Sequence, residues 1–426
     1  MEWLNKIIQV FRIPELRDKI LFVLGVFVVF RLMANIPMPG IDIENLRNFF
    51  GQFQVFGLLN VFSGGTLANF SIIMLGLGPY ITATIILQLL TMIFPQLEQI
   101  YKQEGEAGRR KFNQYGRILT VPLAILQGYA MLTLFQRQGA IGALSPTTVL
   151  ASIITVAAGC LLLMWLGELI TERGIGNGVS LLIFAGIVAS VPGSIRETIV
   201  KWDSSQLPAY LLFFGMSLLI IAGVVLIHEG RRNIPVSYAK RVRGMKMYGG
   251  VSTYLPLNVN PAGVIPIIFA LSLMLFPGMI ANFLSGAPGL WGSAAQYLGD
   301  LFQNQWVYGT LYFILVCLFT YFYTAVTFDP KAIASNLQKM GGFVPGIRPG
   351  ESTSHFLYYI LNRILLIGAL FLGGIAVLPS AVGGVTGITS FSFLIGGTSL
   401  LIAVSVILET MRQINAQLQM REYDTF

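Results

Sequence analysis

Side chains that could perform catalysis or bind a metal are scarce along this chain of 426 residues. The histidines His228 and His355 and the cysteines Cys160 and Cys317 are far apart in the sequence, so neither a zinc site nor a disulfide framework is indicated. No phosphate-binding loop, metalloprotease motif, pair of catalytic carboxylates or serine-base arrangement can be placed on the sequence. His228 and Glu229 are the nearest catalytic candidate, and their simpler interpretation is a polar pair at the end of an apolar segment. The sequence therefore predicts a protein that is not an enzyme, with no cofactor and no metal.

The chemistry that the sequence does support is that of aliphatic side chains at the centres of long apolar segments. Such residues are ordinarily packing. If they converge on a pore, they form a dry constriction that stops ions by dewetting, and their flexible side chains fit a substrate with no fixed shape. A coupled ion transporter needs an ionisable group at this depth, and these segment centres contain none. The candidate ring consists of Leu77, Ile81, Val179, Ile183, Ile268 and Ile402.

Residues 58–91 are too long for one membrane span and are interrupted where a span should be continuous. Residues 55–69 are apolar but split by Ser63-Gly64-Gly65, and a bilayer core needs about 20 helical residues. Residues 71–94 contain no charge. Irregular backbone at membrane depth is tolerated where protein buries it or where it lines a cavity. The pattern therefore predicts a half-helix folded back into the mouth of a pore, with the next helix in the pore wall.

Composition supports a membrane location for all these segments. The chain is 55% hydrophobic and 11% charged, with a mean hydropathy of +0.72, whereas soluble domains are roughly 25% charged. Apolar runs close to the thickness of a bilayer recur along the whole chain. The predicted spans are about 20–36, 71–94, 114–135, 149–170, 179–199, 208–228, 261–281, 306–327, 356–378 and 391–411.

The net charge of +8 is distributed unevenly between the two sides of these spans. Basic residues crowd the N-terminus, the C-terminal tail and every second loop. The opposite side carries only Arg47, Arg137, Arg196 and Lys201. Because Lys and Arg accumulate on the cytoplasmic side, both termini are predicted to be cytoplasmic.

Two predicted cytoplasmic loops are unusually long. Residues 229–259 have β-branched and aromatic residues on either side of a basic turn that contains glycine, which predicts a projecting hairpin. Residues 328–355 begin with a short amphipathic helix and end in a Gly/Pro turn cluster that places Arg348 at a tip.

A weak internal symmetry relates the two parts of the chain. The second span of each part opens with residues that loosen a helix, Gly76 to Pro79 in one and Pro261 to Gly263 in the other. Broken segments at corresponding positions are typical of inverted repeats with a pathway between them. The sequence thus predicts an all-α polytopic membrane protein with ten transmembrane helices in two pseudo-symmetric inverted halves around a central pore. The halves are residues 1–200, with spans 1 to 5, and 208–426, with spans 6 to 10, joined by an external hinge at 201–207.

Several long blocks occur in the order found in one known family. They are NVFSGG, GPYITATIILQLLT, EGEAGRRKFNQYGR, LMWLGELITERGIGNGVSLLIFAGIVA, YAKRVRG, VNPAGVIPIIFA, GGFVPGIRPGE and GGTSLLI. Together they closely resemble the bacterial SecY family, the central subunit of the Sec protein-conducting channel, almost from end to end. The resemblance implies a passive channel that moves unfolded secretory polypeptides across the cytoplasmic membrane of a bacterium and inserts membrane proteins laterally into it.

The resemblance also implies roles for particular residues. The six aliphatic residues match the family's pore ring, where isoleucine is usual, so Leu77 and Val179 depart from the pattern while remaining aliphatic. Spans 2 and 3 against 7 and 8 resemble the lateral gate that admits signal sequences, and its polar residues are expected to be Thr82, Gln127 and Asn260; simple helix–helix hydrogen bonding explains these three equally well. The segment at about 55–69 resembles the plug, with Phe62, Ser63, Gly64, Gly65 and Asn69.

Partners follow from the same resemblance. Arg348 matches a position that engages the SecA motor, and the basic tip matches the loop that docks SecA or the ribosome. The positive-inside rule alone also explains basic residues on this side. SecE-type and SecG-type small membrane subunits, nascent chains and membrane lipids are further expected partners. The basic tip comprises Lys240, Arg241, Arg243 and Lys246.

Two other classes of membrane protein share some of these features. A secondary transporter also has broken helices and inverted repeats, but it should saturate with a small solute and carry a charge at mid-membrane. A structural membrane scaffold would have the basic loops without a continuous path.

Overall fold

The chain is known from a computed structural model, and the described part is mainly helical. The residues described are 13–38, 63, 65–67, 69–102, 105–137, 139, 141–142, 145–173, 175–200, 205, 207–238, 241–243, 246–248, 252–284, 292–293, 297, 299, 304–386 and 397–424.

Twelve named helices and five strands follow one another along these residues. The first six helices are α1 (Pro14–Ala34), α2 (Gly78–Ile93), α3 (Pro95–Lys102), α4 (Gly105–Arg137), α5 (Pro146–Arg173) and α6 (Gly178–Val200). After α7 (Leu207–Glu229) come the strands β1 (Arg231–Tyr238), β2 (Arg241–Arg243), β3 (Lys246–Tyr248) and β4 (Ser252–Asn258). The remainder is α8 (Ile265–Leu284), α9 (Gln305–Thr327), α10 (Pro330–Lys339), β5 (Gly342–Phe343), α11 (Glu351–Thr386) and α12 (Gly397–Asp424).

Each of the ten predicted apolar runs overlaps one of these helices. The two remaining helices, α3 and α10, are short and amphipathic. Among the described residues, five segments are long and apolar enough to cross a membrane by themselves, and α2 with α3 forms a further pair bent by 116°. The five segments are Gly105–Gln136, Pro146–Arg173, Tyr210–Glu229, Trp306–Lys339 and Glu351–Leu378. The predicted fold class, an all-helical polytopic membrane protein, is therefore confirmed.

The second predicted span begins later than its apolar run. Residues 72–77 form turns, and the helix starts only at Gly78. Gly76 has a φ of +56°, which a helix cannot contain, and Pro79 in the first turn is compatible only with a helix start. Ser71 instead forms an isolated β-bridge with Pro37. The prediction of a helical span from about residue 71 was therefore wrong by about two helical turns, because both the local backbone at Gly76 and the bridge to the distant Pro37 keep the helix from starting earlier.

The helices pack as two sets that meet along two seams. In the first set α4 packs against α2 and α5, and α5 packs against α6 and α1. In the second set α9 packs against α8 and α11, and α12 packs against α7 and α11. The sets meet where α6 packs against α12 and where α8 packs against α2 and α4. The largest apolar core of the described residues contains side chains from both sets.

The two long loops form one platform. The predicted hairpin is present as β1 and β4, which pair antiparallel from Arg231 opposite Asn258 to Ser237 opposite Ser252. The predicted short helix after residue 328 is α10, and turns follow it up to Gly350. The sequence did not predict that β5, from the second loop, also pairs with β1 to give a sheet of order β4-β1-β5. The two loops are therefore parts of a single structural unit.

The hinge at 201–207 lies mostly outside the described residues, which include only Ser205 and Leu207 of it. The division into two inverted halves stays a prediction.

Candidate functional site

The six candidate ring residues all belong to, or pack against, the largest apolar core of the described part of the chain. Five of them are between 0% and 9% exposed, and Val179 is partly buried and packs against the same core. They come from α2, α6, α8 and α12, which are the helices that form the seams between the two sets. Residues far apart in sequence thus belong to one contiguous apolar core, and their arrangement as a ring stays a prediction.

All six residues lie at or near the starts of their helices. Leu77 is the N-cap of α2, and Ile81 follows one turn later. Val179 and Ile183 occupy the first two turns of α6, while Ile268 and Ile402 hold similar positions in α8 and α12. Whatever fixes the start of each helix therefore also fixes the position of its ring residues.

The start of α6 is fixed by side chains from three elements. Asn177 Oδ1 accepts hydrogen bonds from the backbone N–H groups of Val179 at 3.1 Å and Ser180 at 3.2 Å, as an N-cap does. Thr171 Oγ1 in α5 accepts from the N–H of Gly178 at 2.9 Å. Gln413 Oε1 in α12 accepts from the N–H of Gly176 at 2.6 Å. The loop before α6 is thus hydrogen-bonded to α12 of the second set of helices as well as to α5 of the first set.

The start of α8 depends on Asn260. Its Nδ2 donates to the carbonyl oxygen of Gly263 at 2.9 Å, and Gly263 has a φ of +64°. This bond closes the turn from which α8 begins, three residues before Ile268. Gly76, one residue before Leu77, has a φ of +56°, so both second spans start after a glycine in the left-handed region.

The side chains that pack together in the core around the ring are aliphatic and aromatic. An ion entering such a place loses its water and gains no ligand, so it is excluded. The same side chains form no directional bonds and would impose no sequence requirement on a polymer in contact with them. Among the described residues, moreover, no group of His, Cys, Asp or Glu could hold a metal.

The described part of the folded-back segment lies beside the ring. Ser63 Oγ accepts a hydrogen bond from the N–H of Leu67 at 3.3 Å, and the N–H of Asn69 donates to the carbonyl of Gly65 at 3.4 Å. A methyl group on Gly76 would lie 3.7 Å from the Cα of Ser63, so this segment touches the turn that carries Leu77. Ser63, Gly65 and Asn69 are in turns rather than in a half-helix, and Phe62, Gly64 and residues 55–61 lie outside the described residues.

A separate apolar cluster anchors the end of this segment. Leu67 and Phe70 are buried against Met38 of the preceding segment and Phe135 of α4. The rings of Phe70 and Phe135 meet edge to face with their centroids 5.6 Å apart. The segment is therefore fixed at its C-terminal end, directly before the turns that lead to α2.

The three predicted gate residues do not form one group. Gln127 Nε2 of α4 donates to Thr82 Oγ1 of α2 at 3.5 Å, and both side chains are buried. Asn260 instead bonds within its own turn and lies 3.5 Å from His228 Nε2 at the end of α7. None of the hydrogen bonds of these described side chains joins α2 or α4 to α8.

A polar cluster that sequence reasoning missed joins α7, α12 and the turn before α8. Ser405 Oγ lies 2.7 Å from His228 Nε2. Arg412 donates to the carbonyl oxygen of His228 at 2.6 Å and to Glu229 Oε1 at 2.8 Å. His228 and Glu229 are therefore structural: they close the end of α7 against α12. Their partners follow some 180 positions later, so no local pattern could have identified them.

We expect Arg412→Met to lower the free energy of unfolding by about 2 kcal/mol, because two charge-assisted hydrogen bonds to the end of α7 are lost. Denaturation of the purified protein in detergent measures this. The control is Arg110→Met, whose partner Glu106 is 3.9 Å away and whose side chain is 82% exposed, so that about 0.5 kcal/mol or less is expected. Equal losses in the two variants would contradict a structural role for Arg412.

The basic platform is only partly described. Arg348 is exposed in the turns after β5, and its carbonyl oxygen accepts a hydrogen bond from Thr353 Oγ1 at 2.9 Å, which holds the turn to the start of α11. Backbone pairing places Arg243 opposite Lys246 in the small β2–β3 hairpin. Lys240 lies outside the described residues, as do the side chains of Arg241, Arg243 and Lys246.

Comparison with known proteins gives one consistent family. The SecY family model matches residues 71–411. The protein translocase subunit SecY of Streptomyces galbus is 44% identical over 436 aligned residues, with 98% of each chain covered. The protein translocase subunit SecY of Mycobacterium bovis is 42% identical and covers 99% of each chain.

Solved structures share the fold at lower sequence identity. A protein-conducting channel superposes with a TM-score of 0.65 and 21% identity, covering 93% of this chain and 91% of the other. A SecY structure whose plug domain is described as stabilising the closed state superposes with a TM-score of 0.63 and 22% identity, covering 93% of this chain and 91% of the other. Sec61 in the canine ribosome–channel complex superposes with a TM-score of 0.61 and 20% identity, again covering 93% of this chain and 91% of the other.

Proposed function

This chain belongs to the SecY family, and from that premise we propose that an unfolded polypeptide crosses the membrane through the ring of six aliphatic residues described above. The chain is a channel subunit of a protein translocase, a multi-pass membrane protein and not an enzyme. What remains to be assigned is the path, the gate and the partners.

The proposal is supported by the apolar core that the ring residues share. Ile81 and Ile183 of the first set of helices and Ile268 and Ile402 of the second belong to one buried apolar core. A ring divided between two sets of helices opens when the sets separate and closes when they return. In the closed arrangement its aliphatic side chains pack together and exclude ions. The plug, around residues 55–69, adds a second barrier beside Leu77.

The lateral exit for signal sequences and new transmembrane helices is the seam of α2 and α4 against α8 and α9. Thr82 and Gln127 join α2 to α4, so these two helices move as one side of the gate. Asn260 keeps the turn at the start of α8 closed on the other side. Because the hydrogen bonds of these three side chains stay on one side of the seam, its separation would leave none of them broken, which suits an opening toward lipid.

The driving force comes from outside the chain, from the SecA motor or the ribosome. The platform of β1, β4, β5 and α10 has Arg348 on exposed turns, and the basic tip predicted from the sequence, Lys240, Arg241, Arg243 and Lys246, falls at or beside the β2–β3 hairpin in the chain. A cluster of cations on a projecting hairpin would attract phosphate-rich ribosomal RNA in a salt-dependent manner. Sec61 in a ribosome–channel complex shares this fold, which supports a ribosomal partner.

The orientation and the remaining partners follow from charge and family. The chain lies in the cytoplasmic membrane of a bacterium with both termini in the cytoplasm, because the basic residues gather on that side. SecE-type and SecG-type subunits complete the complex. The halves 1–200 and 208–426 move about the external hinge at 201–207.

Disulfide crosslinking to a stalled secretory chain tests the path. We expect Ile81→Cys and Ile183→Cys to form a crosslink with a cysteine in the arrested polypeptide, because both side chains face the route that the polypeptide takes. Formation of the mixed disulfide is measured on a nonreducing gel.

The matched control is Ile220→Cys in α7, which is equally buried in the same core but lies outside the ring. A background in which Cys160 and Cys317 are replaced by alanine removes native thiols. Absence of a crosslink at both ring positions, or an equal crosslink at position 220, would refute the path. A transporter or a scaffold would give no crosslink to a secretory chain at any of the three positions.

A further inference from the structure

The outward face of the first turns of α11 forms an open cavity that the proposed function does not use. The cavity has a volume of about 740 Å³. Every residue that lines it belongs to α11, at the spacing of one helix face. The lining residues are His355, Phe356, Tyr358, Tyr359, Asn362, Arg363 and Leu366.

The opposite face of the same turns is fully engaged. Leu357 and Ile360 pack with Ile234 of β1, Leu257 of β4 and Val344 in a separate apolar core beneath the platform. This packing sets the orientation of α11. Phe356 lies at the edge between the two faces, packed against this core, and Asn362 is half-exposed, whereas the other five lining residues are exposed.

The polarity of this face changes abruptly along the helix. His355, Tyr359 and Arg363 are exposed in the first turns, whereas Leu366 and Leu370 are exposed by 52% and 51% in the turns that follow. Exposed aliphatic residues on a membrane helix face hydrocarbon, and tyrosine and arginine collect at the level of the lipid headgroups. The boundary between headgroups and hydrocarbon on this face thus lies between Arg363 and Leu366.

Arg363 is a cation at that boundary without a carboxylate partner among the described residues. Its Cζ lies 4.4 Å from the centroid of the Tyr359 ring, which holds the guanidinium in place. Glu351, at the start of the same helix, is about 18 Å away along the axis. A guanidinium presents forked donors that match a phosphate group, and Asn362 adds an amide donor beside it.

We propose that this face binds the phosphate of an anionic phospholipid from the cytoplasmic leaflet, with Arg363 as the phosphate ligand, Tyr359 as its support and Leu366 against the first part of the acyl chain. A lipid suits the face because polar and aliphatic residues succeed one another in the order of headgroup and chain. A partner helix in the membrane packs closely through small residues such as Gly and Ala, and the turns from His355 to Arg363 contain none.

Titration of the purified, delipidated translocase with phosphatidylglycerol, followed by native mass spectrometry, tests the site. Relative to the unmodified chain, Arg363→Gln is expected to weaken binding of one phosphatidylglycerol molecule about fivefold, as loss of one basic residue near an anionic lipid implies. Arg363→Lys keeps the positive charge but not the forked donors of the guanidinium, so it should weaken lipid binding less than Arg363→Gln does. Lys331→Gln, which removes the same charge from exposed α10, should leave lipid binding unchanged.

Two further results decide the proposal. Phosphatidylcholine has the same phosphodiester but carries a cationic choline, so its binding should fall less in Arg363→Gln than that of phosphatidylglycerol does; an equal loss for both lipids, or no loss for phosphatidylglycerol, overturns the proposal. With a photoreactive benzoylphenylalanine in place of Tyr359, a lipid adduct supports the site, and an adduct with a small membrane subunit overturns it. Lipid retention is measured without translocation, so a negative result leaves the proposed polypeptide path standing.

Discussion

Replacing Ile183 by asparagine is expected to make the resting channel leak ions. Ile183 is 4% exposed in the ring, so the variant puts an amide that binds water into the apolar constriction. Once water enters, the barrier from dewetting is lost, and we expect the resting conductance of reconstituted channels to rise by roughly tenfold or more. Planar-bilayer recording without a translocating polypeptide measures this.

The control variant must lower the free energy of unfolding by the same amount without changing a ring residue. Ile220→Asn in α7 meets this condition, since Ile220 is 5% exposed in the same core. Both variants lose aliphatic burial and gain an unsatisfied amide, which costs about 3 kcal/mol in each case. A leak in both variants would mean that loosened packing, rather than the ring, is responsible.

The sequence predicted the spans well because a span depends on properties that are local. Length and apolarity suffice to predict a helix such as α5 or α9, and loop charges suggest its direction. The start of the second span was misjudged because it depends on Ser71, which bridges to Pro37, and on Phe70, which has a φ of +45°. A phenylalanine in that conformation has no sequence signal, since the surrounding core imposes it.

The hairpin and the platform also show that local sequence predicts contacts between neighbouring segments but not contacts between distant ones. The β1–β4 hairpin was predicted because its two strands are neighbours in sequence. The third strand was missed because β5 has only two residues, Gly342 and Phe343, and pairs with Tyr238 and Ser237 of the other loop. A strand of two residues is too short to show the alternation of apolar and polar residues from which a strand is predicted.

The candidate site was only partly predictable from the residues themselves. Leu77 and Ile402 are ordinary aliphatic residues, and their location in a ring was inferred from a resemblance rather than from any local pattern. Asn260 was expected at the gate, yet its partners are Gly263 and His228. His228 is in turn bound by Ser405, 177 positions away, and such a contact is fixed by the packing of α7 against α12.

The second large effect is expected at Gly178, where α6 begins. A methyl group there would overlap the carbonyl oxygen of Gly167 in α5 and lie 2.9 Å from the Cβ of Ile170. Two backbones are in contact, so no side-chain rotation relieves the clash, and the start of α6 must move away from α5. We expect Gly178→Ala to lower the free energy of unfolding by about 3 kcal/mol or more. Denaturation in mixed micelles measures this.

The displacement should also reach the ring, because Val179 and Ile183 are carried by the turns that Gly178 opens. Gly178→Ala channels that remain folded are therefore expected to leak ions at rest. Gly193→Ala in the same helix is the matched control: its added methyl meets nothing within 4 Å, so a gain of about 0.5–1 kcal/mol from helix propensity and no leak are expected. If the two alanine variants behaved alike, the position of the ring could not depend on the close contact of α5 with α6. A leak confined to Gly178→Ala would instead identify that contact as the support on which closure depends.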